Sequence, residues 1–130
     1  SYERLQIQAG SSVLDVGCGT GDDARALAAI VGEGGRVVGV DKSQTMVDEA
    51  RRRAVGLGPA LEYQIVDASA LPFADDTFDA GRIDRVLHHV NDPRPVVAEL
   101  VRVVRRGGRI TMLEPDFETL MLDVTDRATT

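Results

Sequence analysis

The sequence predicts an α/β domain, a parallel sheet of about five strands with helices on both faces. Three observations carry that prediction. Short apolar runs rich in β-branched residues lie at Val13–Val16, Val37–Val40, Leu61–Val66, Phe78–Ile83 and Ile110–Leu113, the pattern of strands buried on both sides. Segments with helical spacing alternate with them. The length, 130 residues, suits a single domain spanning 1–130 with one core.

The first helical segment places Ala24, Leu27, Ala28 and Val31 on one face, and the second does the same with Met46, Val47, Ala50 and Ala54. A third aligns Val96, Val97, Leu100, Val101 and Val104, begins near Pro93 and Pro95, and is expected to end at Arg105-Arg106-Gly107-Gly108. There the arginine pair would complement the negative end of the helix dipole. The stretch from Asp67 to Asp76, which contains Pro72, reads as a loop or one helical turn. Gly81 is unusual for a buried strand, where a bulky apolar residue is the rule. Parallel strands need long right-handed crossovers, so this series folds into a Rossmann-like sheet whose ligands sit outside the carboxyl ends of the strands.

Composition excludes several functional classes. Hydrophobic residues make up 43% and charged residues 28%, ordinary values for a soluble domain. The net charge of −6 and a pI near 4.8 argue against nucleic acid and anionic membrane partners. One cysteine allows no internal disulfide, and no apolar run approaches the roughly 20 residues that cross a bilayer. A cytoplasmic protein is the expectation. The chain begins at Ser1 with no charged-then-apolar leader to discount, and its N-terminus reads as trimmed.

The first strand runs into Asp15-Val16-Gly17-Cys18-Gly19-Thr20-Gly21-Asp22-Asp23. Alternate glycines let the backbone turn tightly and let a ligand approach without meeting a Cβ. The dinucleotide fingerprint needs its third glycine one place later, where this chain has Asp22. Asp22 and Asp23 also occupy the helix N-terminus that a pyrophosphate would require. Their ordinary role is to cap the helix, yet their field favours a ligand bearing cationic sulfonium and amine groups over a phosphate. Cys18 reads as a small packing residue rather than a nucleophile.

Asp41 ends the second strand, 20 residues beyond Gly21. A carboxylate there accepts hydrogen bonds from ribose hydroxyls, and Ser43 is available to cap the following helix in its place. Met46, which in isolation would read as core, lies where a flexible thioether can cover an adenine face. Asp67 and Ala68 follow the third strand and offer a carboxylate and a backbone N–H to an adenine edge.

With these residues in order, the chain resembles the class I S-adenosylmethionine-dependent methyltransferases over roughly residues 10–115. Residues 13–21 resemble the family's first motif, Asp41 its ribose acid and Asp67-Ala68 its adenine site. Phe78-Asp79 through Leu87-His88-His89-Val90 is similar to its fourth-strand segment, and Leu100 through Gly107-Gly108-Arg109 to its fifth. The resemblance implies that S-adenosylmethionine is the cofactor. Asp15, Gly17, Cys18 and Gly19 would hold its methionine end, and Lys42 and Met46 would flank the adenosine. The end of strand four, with Asp84 and Arg85, would line the methyl-transfer site. The full family fold has seven strands, and its C-terminal antiparallel hairpin is expected to be lacking here. Strand five would then be an exposed edge, a surface for pairing with a second copy.

Methyl transfer is an in-line displacement whose rate comes largely from positioning, so no universal catalytic residue is required. If the acceptor must lose a proton, Asp84, His88 and His89 are the candidate bases, although the histidine pair also suits packing. Arg82 and Arg85 around Asp84 suit an ion-paired surface cluster. No set of side chains has metal-ligand spacing. Glu114-Pro115-Asp116 would edge the pocket, and Phe117, Leu120, Met121 and Leu122 suggest an apolar lid or helix, or equally a docking surface. The expected activity is methyl transfer to a small-molecule acceptor. A NAD-dependent oxidoreductase and a non-catalytic cofactor-binding module are the alternatives.

Overall fold

The computed structural model describes residues 5–84, 92–114 and 117–123; for residues 84, 113, 114 and 117–123 only the backbone path is described. The elements are β1 (Ser12–Val16), α1 (Asp22–Val31), β2 (Arg36–Asp41), α2 (Gln44–Arg53), β3 (Leu61–Ile65), β4 (Phe78–Asp84), α3 (Arg94–Val103), β5 (Val104–Glu114) and β6 (Phe117–Asp123). They form one sheet in the order β3-β2-β1-β4-β5-β6. The first five strands are parallel, as expected, and β6 runs antiparallel to β5. Strand order reverses beside β1, which pairs with β2 on one side and β4 on the other. The crevice at its C-terminal end is therefore the binding position for this topology.

Strands β1, β2 and β4 feed two cores because their side chains alternate between faces. Val13 and Val37 join Ala24, Leu27 and Val31 of α1 and Val47 and Ala50 of α2 on one face. Leu14, Val16, Val38 and Val40 join Val96, Leu100 and Val103 of α3 on the other. The unusual Gly81 is explained here, since a Cβ at that position would lie 2.8 Å from Leu100 Cδ1 and 3.0 Å from Val104 Cγ2. Helix α3 presses directly on β4.

Two expectations change. Helix α3 ends at Val103, and Val104 turns extended and pairs with Phe78. Arg105 therefore does not complement the helix dipole; its Nε donates to Asp79 Oδ1 at 2.9 Å. Gly107, at φ 85°, supplies the left-handed turn that the chain needs there. The other change concerns residues 117–123, which form a strand rather than an apolar lid or helix. Only two residues separate β5 from β6, a distance that permits antiparallel but not parallel pairing. Satisfying the open backbone groups of β5 outweighs the helical spacing of positions 117, 120 and 121. Strand five is thus an interior strand, and the edge expected to pair with a second copy is covered.

Candidate functional site: a glycine cradle at the sheet's switch point

The loop from Gly17 to Gly21 leaves β1 over the end of β2. The N–H groups of Gly17 and Cys18 both donate to the Val40 carbonyl, at 2.8 and 3.0 Å, and Gly21 N–H closes a turn on Cys18 O at 2.9 Å. Gly17, Gly19 and Gly21 adopt φ values of 73°, 55° and 88°, which other residues rarely take. A Cβ on Gly19 would meet nothing within 4 Å, so the loop is open there; one on Gly21 would lie 2.3 Å from the Tyr63 hydroxyl. One glycine serves access and the other close packing.

Asp41 faces this loop from the end of β2. Its Oδ2 accepts from Gly19 N–H at 3.0 Å and its Oδ1 from Ser43 N–H at 2.9 Å. Each carboxylate oxygen can accept more than one hydrogen bond, so capacity remains for two hydroxyls. Ser43, not Asp41, caps α2, its Oγ accepting from Met46 N–H at 3.3 Å. Met46 is not core, being 43% exposed, and Ile65 at the end of β3 is 46% exposed. These exposed apolar side chains lie in the first turn of α2 and at the end of β3. Ile65 was not singled out from the sequence because its exposure depends on where β3 stops.

Asp67 forms a local turn, accepting at Oδ1 from the N–H and hydroxyl of Ser69 at 2.9 and 2.8 Å. Those bonds, with help from the Lys42 charge, hold its carboxyl below the usual range. Ala68 packs its methyl against the α3-side core. The remainder of this loop is pinned by α3: Arg102 donates to the Leu71 and Phe73 carbonyls at 2.9 and 2.7 Å, and Glu99 accepts from Leu71 N–H at 2.8 Å. Sequence offered no sign of this bracing, because the half-buried Glu99 and Arg102 lie 28 to 31 residues away on α3.

The electrostatics of the cradle are acidic. Cys18 is buried, and burial first, then the charges of Asp15 and Asp41, push its thiol up to about 12. It is an inert packing residue, as expected. The Asp15 and Asp41 charges that add to the effect of burial would also favour a cationic ligand. Asp22 and Asp23 do not cap α1, whose N-cap is Gly21; they occupy its first turn. Asp22 pairs with Arg25, and Asp23 pairs with Arg82 at 3.0 Å. Arg82 is 6% exposed and also reaches Asp15, 0% exposed, at 3.2 Å. The expected arginine surface cluster is, at this position, a buried bridge.

The structure therefore brings Asp15, Gly17, Cys18, Gly19, Asp41, Lys42, Met46, Asp67 and Ala68 to one end of the sheet. Asp84 ends β4 on the same side, paired in register with Leu113. Arg85, His88 and His89 lie outside the described residues. Among the described residues no group of side chains could hold a metal, and no helix is long and apolar enough to cross a membrane.

The open glycine loop, the anchored Asp41 carboxylate, the exposed Met46 and Ile65 side chains and the acidic field suit S-adenosylmethionine. Comparison with known proteins agrees. A family model described as a methyltransferase domain matches residues 14–112. An uncharacterised 37.1 kDa protein in transposon TN4556 of Streptomyces fradiae is 48% identical over 124 residues, 95% of this chain and 36% of that protein. A demethylmenaquinone methyltransferase of Shouchella clausii is 40% identical over 122 residues, 92% of this chain and 52% of that enzyme. A solved S-adenosylmethionine-dependent methyltransferase from Aquifex aeolicus superposes with a TM-score of 0.78 at 27% identity, covering 89% of this chain and 65% of that one. The chain spans about half or less of the length of these curated relatives. Its sheet, its glycine cradle and these matches together place the chain in the S-adenosylmethionine-dependent methyltransferase domain family.

Proposed function

We propose that this chain is the cofactor-binding core of a methyltransferase that uses S-adenosylmethionine to methylate a small molecule of quinone type. The observation that carries the cofactor half is Asp41, anchored by two backbone N–H groups across from an open Gly19. That geometry fixes a carboxylate before any ligand arrives, which lowers the ordering cost of binding. Asp41 would take the ribose hydroxyls and the loop from Gly17 to Gly19 the methionine end. Met46 and Ile65 would cover the adenine, and Asp67 with the Ala68 N–H would read its edge.

The bound cofactor supplies an electrophilic methyl group on a cationic sulfur. The protein's own share of an in-line displacement is to hold the acceptor in line and exclude water. Asp84, which ends β4, would meet the acceptor, with His88 and His89 following it in sequence as candidate bases. The acceptor class rests on the 40% identity to a demethylmenaquinone methyltransferase. Nucleotide-dependent hydride transfer is disfavoured by the acidic first turn of α1, where a pyrophosphate would meet Asp22 and Asp23. The test is transfer of radiolabelled methyl to reduced demethylmenaquinone and to a panel of hydroxylated aromatics. Label on the quinol supports the reading; cofactor binding with no transfer to any acceptor favours a non-catalytic module.

A further inference from the structure

Arg82 is a charged residue buried within β4, between the buried Gly81 and Ile83. In the parallel register of β1 and β4 it stands opposite Asp15, on the face that carries Val13, Ala80 and helix α1. Its Nη1 lies 3.2 Å from Asp15 Oδ1 and 3.0 Å from Asp23 Oδ2. Asp15 precedes Gly17 by two positions and Asp23 follows Gly21 by two. One guanidinium thus joins the two shoulders of the glycine loop, from a third element.

Stability alone does not call for this arrangement, because a buried ion pair rarely outperforms a well-packed apolar pair of the same volume. Arginine suits a bridge where lysine does not: its planar fork presents several donors in fixed directions. The charge balance is also specific. Two carboxylates and one guanidinium sum to one negative charge beside the loop. S-adenosylmethionine carries one positive charge more than S-adenosylhomocysteine, at the sulfur that loses its methyl group.

We propose that Arg82 is a positioning residue of the cofactor site, which sets the span of the glycine loop through Asp15 and Asp23 and tunes the preference for charged cofactor over demethylated product. The inference rests on the cofactor reading above. Asp23 is the adjustable member, being partly exposed where Asp15 is sealed. Removing its charge weakens the field that favours the sulfonium, whereas removing the charge of Arg82 strengthens it.

The experiment is calorimetric titration of the protein and its Asp23→Asn, Arg82→Lys and Arg82→Gln variants with both ligands, alongside thermal melts. Asp23→Asn is expected to weaken S-adenosylmethionine about fivefold more than S-adenosylhomocysteine, the order expected for one unit charge at close range in a partly solvated site, with little change in melting temperature. Arg82→Lys keeps the charge and loses the bridge, so both affinities fall together, about tenfold, while their ratio stays at the parent value. Arg82→Gln shifts the ratio the other way if it folds; the first two variants decide the matter if it does not. A parent protein that binds both ligands, with Asp23→Asn leaving both affinities and their ratio within twofold, overturns this inference alone. A parent that binds neither overturns the cofactor reading and this inference with it.

Discussion

The hydroxyl of Tyr63 donates to the carbonyl oxygen of Gly21 at 3.3 Å, spanning 42 residues of sequence to brace the glycine loop from beneath. The ring reaches the loop by crossing β2 at Gly39, where a Cβ would lie 2.7 Å from Tyr63 Cδ1. Gly39 and Gly21 are therefore small for the same reason. Tyr63→Phe deletes the one oxygen that makes this contact and is expected to cost about 1 kcal/mol in denaturant unfolding, the usual net value of a buried hydrogen bond. Cofactor affinity should fall severalfold as the loop loosens. Unchanged affinity in a folded variant would show that the loop holds itself.

Gly81→Ala is the matching perturbation away from the cradle. Its new Cβ would press on Leu100 and Val104, and overpacking of this kind costs about 1–3 kcal/mol. The expected result is a lower unfolding midpoint with cofactor affinity retained, measured by urea denaturation and titration on the same samples.

Alkaline pH should destabilise the domain through two buried groups. Burial raises Cys18 from 9.0 and Tyr63 from 10.0, each to about 12. In both cases the folded state keeps its proton longer than the unfolded chain, so the stabilisation is complete below pH 9 and is lost as the pH rises toward 12. The slope expected for one such group is about 1.4 kcal/mol per pH unit. Cys18→Ala should flatten the stability profile from pH 9 upward. A profile that superposes on the parent's would show that the thiol does not contribute.

Arg102 offers a test of how the loop after β3 is held. Its guanidinium satisfies two loop carbonyls and pairs with Glu99 and Asp75. Arg102→Ala leaves those carbonyls to water and is expected to cost about 1–3 kcal/mol. Hydrogen exchange should report it as faster exchange at the Leu71 N–H, with the β1 and β2 amides unaffected.

The parallel strands and the cradle were legible in the sequence because their signals are local. Val13–Val16 followed by alternate glycines states a strand, a turn and an approach path within nine residues, and Asp41 at the end of β2 and Asp67 just beyond β3 fall in step with it. What sequence did not disclose depends on which elements become neighbours. Tyr63 looks like any strand aromatic until β3 is laid beside β2 and the loop. Arg82 looks exposed until its register with Asp15 is known. Gly39 did carry a signal, since glycine inside a strand marks a close approach. Residues 117–123 were misread because their apolar spacing satisfies a helix, and only the open edge of β5 decides for a strand.

Asp41 and the open glycine loop are proposed to form an S-adenosylmethionine site. Calorimetric titration of the protein with S-adenosylmethionine, S-adenosylhomocysteine and NAD, repeated after Asp41→Ala, tests it most directly. Saturable binding of the first two ligands is expected, weakened at least tenfold by the substitution, a loss of about 1.4 kcal/mol or more, with no binding of NAD. Binding of NAD alone, or cofactor affinity indifferent to Asp41, would contradict it.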